Sequence, residues 1–412
     1  MLGQKHRLNA FMYLYYFLAA VSCWFGLQSL LGGFRFVAYV RREMSRPSND
    51  YSPFVSILAP GRGLEDGLEE NIRVLLTQEY PAYEILFIFD RDEDPAIELI
   101  KRLSQSLPNI PARIVIAGPS SDRGQKVHNL SVAVDEVNAN SEVLVFVDTD
   151  ARPDRRWLRQ LVAPLVDPML GASTGYRWFV PLKGGFASRL RSVWNASIAS
   201  ALGADRSKNF CWGGSTAIRR ETFERIKIKE RWRGTVSDDF LITTVMKENR
   251  LPVHFTPQCL VASVGDCDLS ELFEFTTRQI KITRVYASQL WLPLLLGSSL
   301  FCLVFFGGLI LLAVRIALGF SWLVLAFVLL LIFLLGAVKA YIRLRVVLLP
   351  LKPYEREVTR DLPAHVMLWP VASLLYLINT ITAGFSRVIN WRGITYELKS
   401  PTEAVIISRN QT

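Results

Sequence analysis

Two uncharged apolar runs, Leu290 to Val314 and Ile316 to Val338, stand nearly end to end with only Arg315 between them. Each exceeds the ~20 residues that a helix needs to cross bilayer hydrocarbon, so the rest of this chain must be organised around a membrane. Phe11 to Val40, with Arg35 as its single charge, is a third such run. A fourth, His365 to Phe385, is interrupted by Pro370 and carries Asn379, Thr380 and Thr382, so it either spans or lies in the interface. Half of the 412 residues are hydrophobic and the mean hydropathy is +0.24, too apolar for a purely soluble chain.

Flanking charge orients these runs. Lys5 and Arg7 ahead of the first run, and Ala20-Val21-Ser22-Cys23 inside it, loosely resemble a cleavable leader, but the run continues well past Cys23, which favours an uncleaved anchor. Arg41, Arg42 and Arg46 follow the first run, and Lys339, Arg343 and Arg345 follow the span ending at Val338. By the positive-inside rule both flanks face the cytoplasm, with the short turn at Arg315 outside. The expected organisation is an anchor over 1–41, a cytoplasmic polar domain over 42–288, two spans over 289–340, a cytoplasmic loop over 341–363, the fourth apolar stretch over 364–386 and a tail over 387–412. The net charge of +10 then belongs to juxtamembrane lysines and arginines beside anionic lipid. No basic repeat, recognition-helix pattern or stacking motif points to nucleic acid. The five cysteines, Cys23, Cys211, Cys259, Cys267 and Cys302, lack C-x-x-C spacing, and the four histidines are scattered, so neither a disulfide framework nor a zinc site is expected.

The polar domain alternates strand-like and helix-like patterns. Phe54 to Ala59, Glu84 to Phe89, Arg113 to Ala117 and Val143 to Val147 are β-rich, and Leu68 to Thr77, Ala96 to Leu107 and Lys126 to Val137 carry helical spacing between them. This pattern predicts an α/β fold with a mostly parallel sheet, whose ligands bind beyond the carboxyl ends of its strands. No G-x-G-x-x-G follows the first strand, which removes the main support for NAD. The Val143 run ends in Asp148-Thr149-Asp150, a pair of carboxylates that can hold a divalent cation and through it a diphosphate. Asp90 occupies the matching strand end before Asp92, Glu93 and Asp94, where Asp94-Pro95 reads as a solvated loop capping the next helix. Farther on, Gly213-Gly214 follows Phe210-Cys211-Trp212, and Ser237-Asp238-Asp239-Phe240 opens an apolar helix. Ser237 or Asp238 reads as a cap, which leaves Asp239 free to act as a general base. Arg278, Lys281 and Arg284 share a helix face just before the second span, suited to a leaving phosphate or to snorkelling.

Taken together, Asp90, Gln125-Lys126-Val127-His128-Asn129-Leu130, FVDTDARP, CWGGS, SDDF, TRQIKITR and the tail pattern Trp391-Arg392-Gly393-x-x-Tyr396 resemble the ceramide glucosyltransferase family, over nearly the whole chain. The resemblance implies a Rossmann-like A-type glycosyltransferase domain joined to transmembrane helices in a multi-pass membrane protein. The membrane would be the inner membrane of a bacterium, or the Golgi or ER of a eukaryote. It implies inverting transfer of a hexose, with UDP-glucose favoured, from a UDP-sugar to a lipid hydroxyl. Asp90, with Asp92 beside it, would contact the uridine, Lys126 the nucleotide or its phosphates, and Asp148 the ribose or donor sugar. Asp150, helped by Asp148, would hold Mg2+ or Mn2+. Gly213 and Gly214 would lie on the donor side, Asp239 would be the base with Asp238 next to it, and Arg278 and Lys281 would meet the diphosphate.

Two departures stand out. The family's Arg/Gln-x-x-Arg-Trp signature appears as Arg278-Gln279-Ile280-Lys281-Ile282, with lysine for arginine and no tryptophan. Lysine neutralises phosphate but lacks the planar fork, and loss of the indole favours a single transfer over polymer growth. Arg189 to Phe210 matches no acceptor-side pattern, so a ceramide, a diacylglycerol, a hopanoid or another sterol-like alcohol fits as the lipid. The alternatives are a polysaccharide synthase of the hyaluronan or cellulose type, and a non-catalytic membrane scaffold.

Overall fold

The computed structural model describes residues 2–47 and 49–409, so Met1 and residues 410–412, at the ends of the expected anchor and tail, lie outside the described residues. Four β-rich runs form parallel strands, β1 (Val55–Pro60), β2 (Tyr83–Phe89), β3 (Ala112–Ile116) and β4 (Val143–Phe146), linked by helices Leu68–Leu75, Ala96–Ser106 and Gln125–Asp135. β5 (Ala172–Val180), β6 (Thr216–Arg219) and β7 (Val253–Val264) complete a seven-stranded sheet of order β3-β2-β1-β4-β6-β5-β7, in which β6 runs against its neighbours.

The central strands are mostly apolar because both faces are covered, and the buried polar pair among them is satisfied internally, Ser56 Oγ donating to Glu84 Oε1 at 2.6 Å. Ile57, Phe87 and Val145 point into one core, and Leu58, Leu86 and Leu144 into the other. With β1 between β2 and β4, the ends of all three meet at one edge of the sheet.

Among the described residues, three helices are long and apolar enough to cross a membrane, within Phe11–Met44, Ser288–Ala317 and Leu323–Val347. The first belongs to a 43-residue helix, Leu2–Met44, ~65 Å long at 1.5 Å per residue, well beyond the ~30 Å of hydrocarbon. Its last turns dock on the sheet, where Tyr39 Oη donates to Phe255 O at 2.5 Å and Gln258 Nε2 donates to Glu43 O at 2.5 Å. Tyr15 Oη donates to Val304 O at 3.1 Å and Lys339 Nζ to Ser29 Oγ at 2.7 Å, tying the three long helices together.

Several expectations shift. The turn between the two adjacent spans is not at Arg315: the helix continues to Ala317, and Gly319, at φ +71°, ends it as a left-handed residue does. The fourth apolar stretch divides into Leu362–Met367 and Trp369–Phe385, the latter 17 residues and ~25 Å long. Pro370 lies in its first turn, where a missing N–H costs nothing, so the break falls at Leu368. Asn379 and Thr380 are buried against protein: Asn379 Oδ1 accepts from Thr277 Oγ1 at 3.1 Å, and Thr380 O accepts from Trp291 Nε1 at 3.1 Å.

Asp94 does bond the next helix, through Ala96 N at 2.9 Å, but it is buried rather than solvated because it also accepts from Gly63 N at 2.8 Å. The tail is a second, antiparallel sheet of β8 (Val388–Trp391), β9 (Ile394–Ser400) and β10 (Glu403–Arg409). Ile389, Tyr396 and Leu398 pack on Val236, Ile282 and Tyr286, which supplies the burial that a free tail lacks. All five cysteines are free.

Candidate active site

At the shared strand edge Asp90 follows β2 directly, and Asp148 and Asp150 follow β4, so three carboxylates open onto a cleft of about 480 Å³. Asp90 Oδ2 lies 3.8 Å from Arg62 Nη1, while its Oδ1 is buried without a hydrogen-bond partner. Gly61, between the two acidic loops, has no room for a side chain, since a Cβ would sit 2.8 Å from the Phe89 ring.

Cations interleave these acids. Lys126, in the first turn of helix Gln125–Asp135, places Nζ 2.6 Å from Asp148 Oδ1 and 3.3 Å from Asp238 Oδ1. Arg177 of β5 places Nη2 3.3 Å from Asp148 Oδ2 and Nη1 3.9 Å from Asp150 Oδ2, with its guanidinium 4.9 Å from the centre of the Trp212 ring. Burial alone would raise the Asp148 carboxyl, but Lys126 and Arg177 overcome it and hold the group below its ordinary value. Lys126 shows the converse: burial would lower it, and Asp148, Asp238 and Asp239 drive it up instead.

The Ser237-Asp238-Asp239 segment differs from a simple cap. Ser237 precedes the helix without a side-chain bond to its backbone, and its hydroxyl donates to Asp239 Oδ1 at 2.5 Å. Asp238 is 1% exposed and pushed up to about 6, chiefly by burial, with Lys126 opposing and Asp239 and Asp148 adding to the rise. It is a buried counter-ion, because the first turn points it inward at Lys126. Asp239 also accepts from Phe240 N at 2.7 Å and, through Oδ2, from Gly213 N at a long 3.4 Å. Gly213 is required here: a Cβ would collide with the Asp238 carboxylate and lie 2.7 Å from Lys126 Nζ. Gly214 similarly leaves room for the Trp212 indole.

Asp90, Lys126, Asp148, Asp150 and Arg278 line the cleft together, whereas Gly213, Gly214, the buried Asp238 and the half-buried Asp239 fall outside its lining. Asp92 is exposed and away from the lining. Lys281 is also outside it, because its Nζ donates to Val388 O at 2.7 Å in the C-terminal sheet.

Sequence reasoning missed Glu65, Arg177, Trp391 and Arg392, all of which line the cleft. Trp391 corrects the inference drawn from Ile282: the cleft does hold an indole, contributed by the C-terminal hairpin, with the Arg278 guanidinium 5.7 Å from its ring centre. Only the tail motif Trp391-Arg392-Gly393 between two β-rich runs signalled it.

Comparison with known proteins is decisive at the level of family. The model of the family described as Glycosyl transferase family 21 matches residues 14–404, almost the whole chain. The chain belongs to glycosyl transferase family 21. The matched residues take in the strand-edge cleft, the seven-stranded α/β sheet and the first two strands of the C-terminal sheet, and stop just inside the third.

Ceramide glucosyltransferase 1 of Caenorhabditis elegans is 36% identical over 105 residues, 25% of this chain and 22% of that protein. Ceramide glucosyltransferase of Gibberella zeae is 26% identical over 165 residues, 36% of this chain and 29% of that protein. The matches thus span less than a third of these relatives' length. Among solved structures, the mannosyltransferase PcManGT from Pyrobaculum calidifontis, in complex with GDP-Man and Mn2+, covers 89% of this family 21 chain and 98% of its own at 17% identity and a TM-score of 0.47.

Proposed function

We propose that this chain moves a hexose from a UDP-sugar, with UDP-glucose favoured, to the hydroxyl of a ceramide-like membrane lipid, inverting the anomeric carbon. The reading rests on one observation above all: Lys126, Asp148, Arg177 and Asp150 interlock at the carboxyl edge of β4, in a domain docked on helices long enough to span a membrane. Such an edge is where open α/β sheets take nucleotides, and its cations suit a diphosphate.

In this reading Asp90 accepts from the uridine, and Asp148 holds Lys126 and Arg177 under the diphosphate. Asp239, with Oδ1 fixed by Ser237 and Phe240 and Oδ2 held only by the long contact from Gly213 N, is the base in this reading: an acceptor hydroxyl that reaches it from the cleft gives its proton to Oδ2. The acceptor oxygen forms its bond to the anomeric carbon as the bond to UDP breaks on the opposite face. Lys126 and Arg177 oppose the charge that gathers on the departing diphosphate.

Asp150 fits a divalent cation. Its Oδ1 is buried without a hydrogen-bond partner, whereas both oxygens of Asp148 are engaged by Lys126 and Arg177. Among the described residues no three His, Cys, Asp or Glu side chains converge as a metal site, so diphosphate and water would complete the shell, as suits Mg2+ or Mn2+. When bound, the cation adds positive charge beside the leaving diphosphate.

The arginines and lysines flanking the spans support a cytoplasmic polar domain. A cysteine introduced at Arg102, which is 68% exposed, would then react only with membrane-permeant reagents; labelling of intact cells by an impermeant reagent overturns this orientation.

A panel of labelled UDP-sugars incubated with purified protein and total membrane lipid, followed by mass spectrometry, tests the reaction. A single hexose added to a lipid is the expected product. Trp391 in the cleft keeps a polysaccharide synthase as the second reading, and a ladder of hexose additions would select it. Absence of transfer from every UDP-sugar would leave the scaffold reading.

A further inference from the structure

The turn joining β8 to β9 enters the cleft, and its backbone is unusual. Trp391 pairs with Ile394, leaving a two-residue loop of Arg392 and Gly393 with φ +50° and +75°. Two positive φ values make the type I′ turn that suits hairpin twist, and its first position favours Asn, Asp or Gly. An arginine held there is strained, and such outliers concentrate at functional sites.

The side chain explains the position. Arg392 Nη2 lies 2.6 Å from Glu65 Oε1, and Nη1 donates to Arg62 O at 3.2 Å. Glu65 sits within the field of Asp148 and Asp150: burial raises its carboxyl to about 7, with Arg392 pulling against the rise and Asp150 and Asp148 adding to it. Glu65 therefore holds Arg392 at close range while facing two like charges across the cleft. Lys126 and Arg177 are each shared between two aspartates, and Arg278 is spent on Glu274 and on Asn390 O at 3.2 Å. The hairpin itself is firmly seated, through Lys281 Nζ to Val388 O at 2.7 Å and Gln125 N to Tyr396 Oη at 3.1 Å.

We propose that Arg392 is a donor-binding residue that Glu65 holds in readiness, and that a bound nucleoside diphosphate displaces Glu65 from the guanidinium. The exchange follows from the geometry: a fork already aimed into the cleft trades a poorly stabilised carboxylate for a diphosphate of greater charge, and Glu65 is released to water. The C-terminal sheet is then one wall of the donor site. Arg278 and Lys281, expected at the phosphates, serve it as props. This rests on the UDP-sugar reading above.

The test uses full-length protein in lipid nanodiscs, with UDP and uridine as calorimetric probes. Arg392→Asn removes the charge and keeps a residue that tolerates the left-handed turn, so the hairpin survives. UDP affinity should fall about 10- to 100-fold, the worth of a charge-assisted pair, while uridine affinity stays within about twofold and Tm is equal or higher. Glu65→Gln should tighten UDP several-fold, and this gain should vanish in the Arg392→Asn background. Unchanged UDP affinity in Arg392→Asn overturns the proposal, as does an equal loss for uridine and UDP, which marks damage to the hairpin. Native protein that binds no UDP overturns the donor reading itself, and the role of Arg392 with it.

Discussion

Lys126 Nζ stands 3.3 Å from Asp238 Oδ1, and this pair joins the helix Gln125–Asp135 at the strand-edge cleft to the segment that carries Asp239. Asp238 is almost wholly buried, so its charge is tolerated only because Lys126 is there. Asp238→Asn should therefore cost little, because burial already opposes the Asp238 charge and Lys126 keeps Asp148, whereas Lys126→Met, which strands Asp238, should destabilise the protein by about 3–5 kcal/mol. Thermal unfolding of Asp238→Asn, Lys126→Met and the double variant checks this. Strongly non-additive losses are expected, and simple addition would mean the two groups do not interact.

Asp239→Asn keeps the size of the side chain and its bond from Phe240 N but removes the carboxylate proposed as proton acceptor. Transfer should fall by about 10²- to 10⁴-fold while UDP affinity stays close to native. Rate and affinity measured on the same preparation separate the two effects. A near-native rate would take the base role away from Asp239.

Asp150→Ala removes a carboxylate of the β4 edge whose Oδ1 is buried without a hydrogen-bond partner. Native activity should disappear in excess chelator and return with Mg2+ or Mn2+, and the variant should stay inactive with either ion. Its fold should persist, because the ion pair lost is a long one, 3.9 Å from Asp150 Oδ2 to Arg177 Nη1. Full native turnover in chelator would exclude metal assistance.

What could be read in advance was local. The Val143 strand announces itself by five apolar residues and stops at Asp148, so both strand and acid were legible. The βαβ spacing likewise led to the parallel sheet. Arg177 was not legible, because its meaning comes from β5 pairing with β7 some eighty residues later and swinging one face toward Asp148. Arg392 hid for a different reason. A hairpin of this kind usually shows Asn-Gly, and Arg-Gly between short β-rich runs gives little local signal. Lys281 misled because a helical stripe of cations says nothing about what packs over it, here the backbone of β8.

The remaining prediction concerns the joint between the anchor helix and the sheet. His254 of β7 is 3% exposed, with Nε2 3.6 Å from Glu43 Oε2 near the end of the anchor helix. Burial lowers its pKa from 6.5 to about 4; Glu43 works against this and Arg206, Arg46 and Arg42 work with it. The folded protein thus keeps His254 neutral at a pH where the unfolded chain protonates it. As pH falls from 6.5 to about 4 the unfolded state gains a proton that the folded state refuses, so this contribution to stability is complete above 6.5 and is lost downward, at a limiting slope of about 1.4 kcal/mol per pH unit. Tm measured in nanodiscs should fall across that window. His254→Gln, which cannot take up the proton in either state, should flatten the fall even if its Tm at pH 7.5 is lower. Parallel profiles for native protein and variant would show that other groups govern the acid response and that His254 is silent.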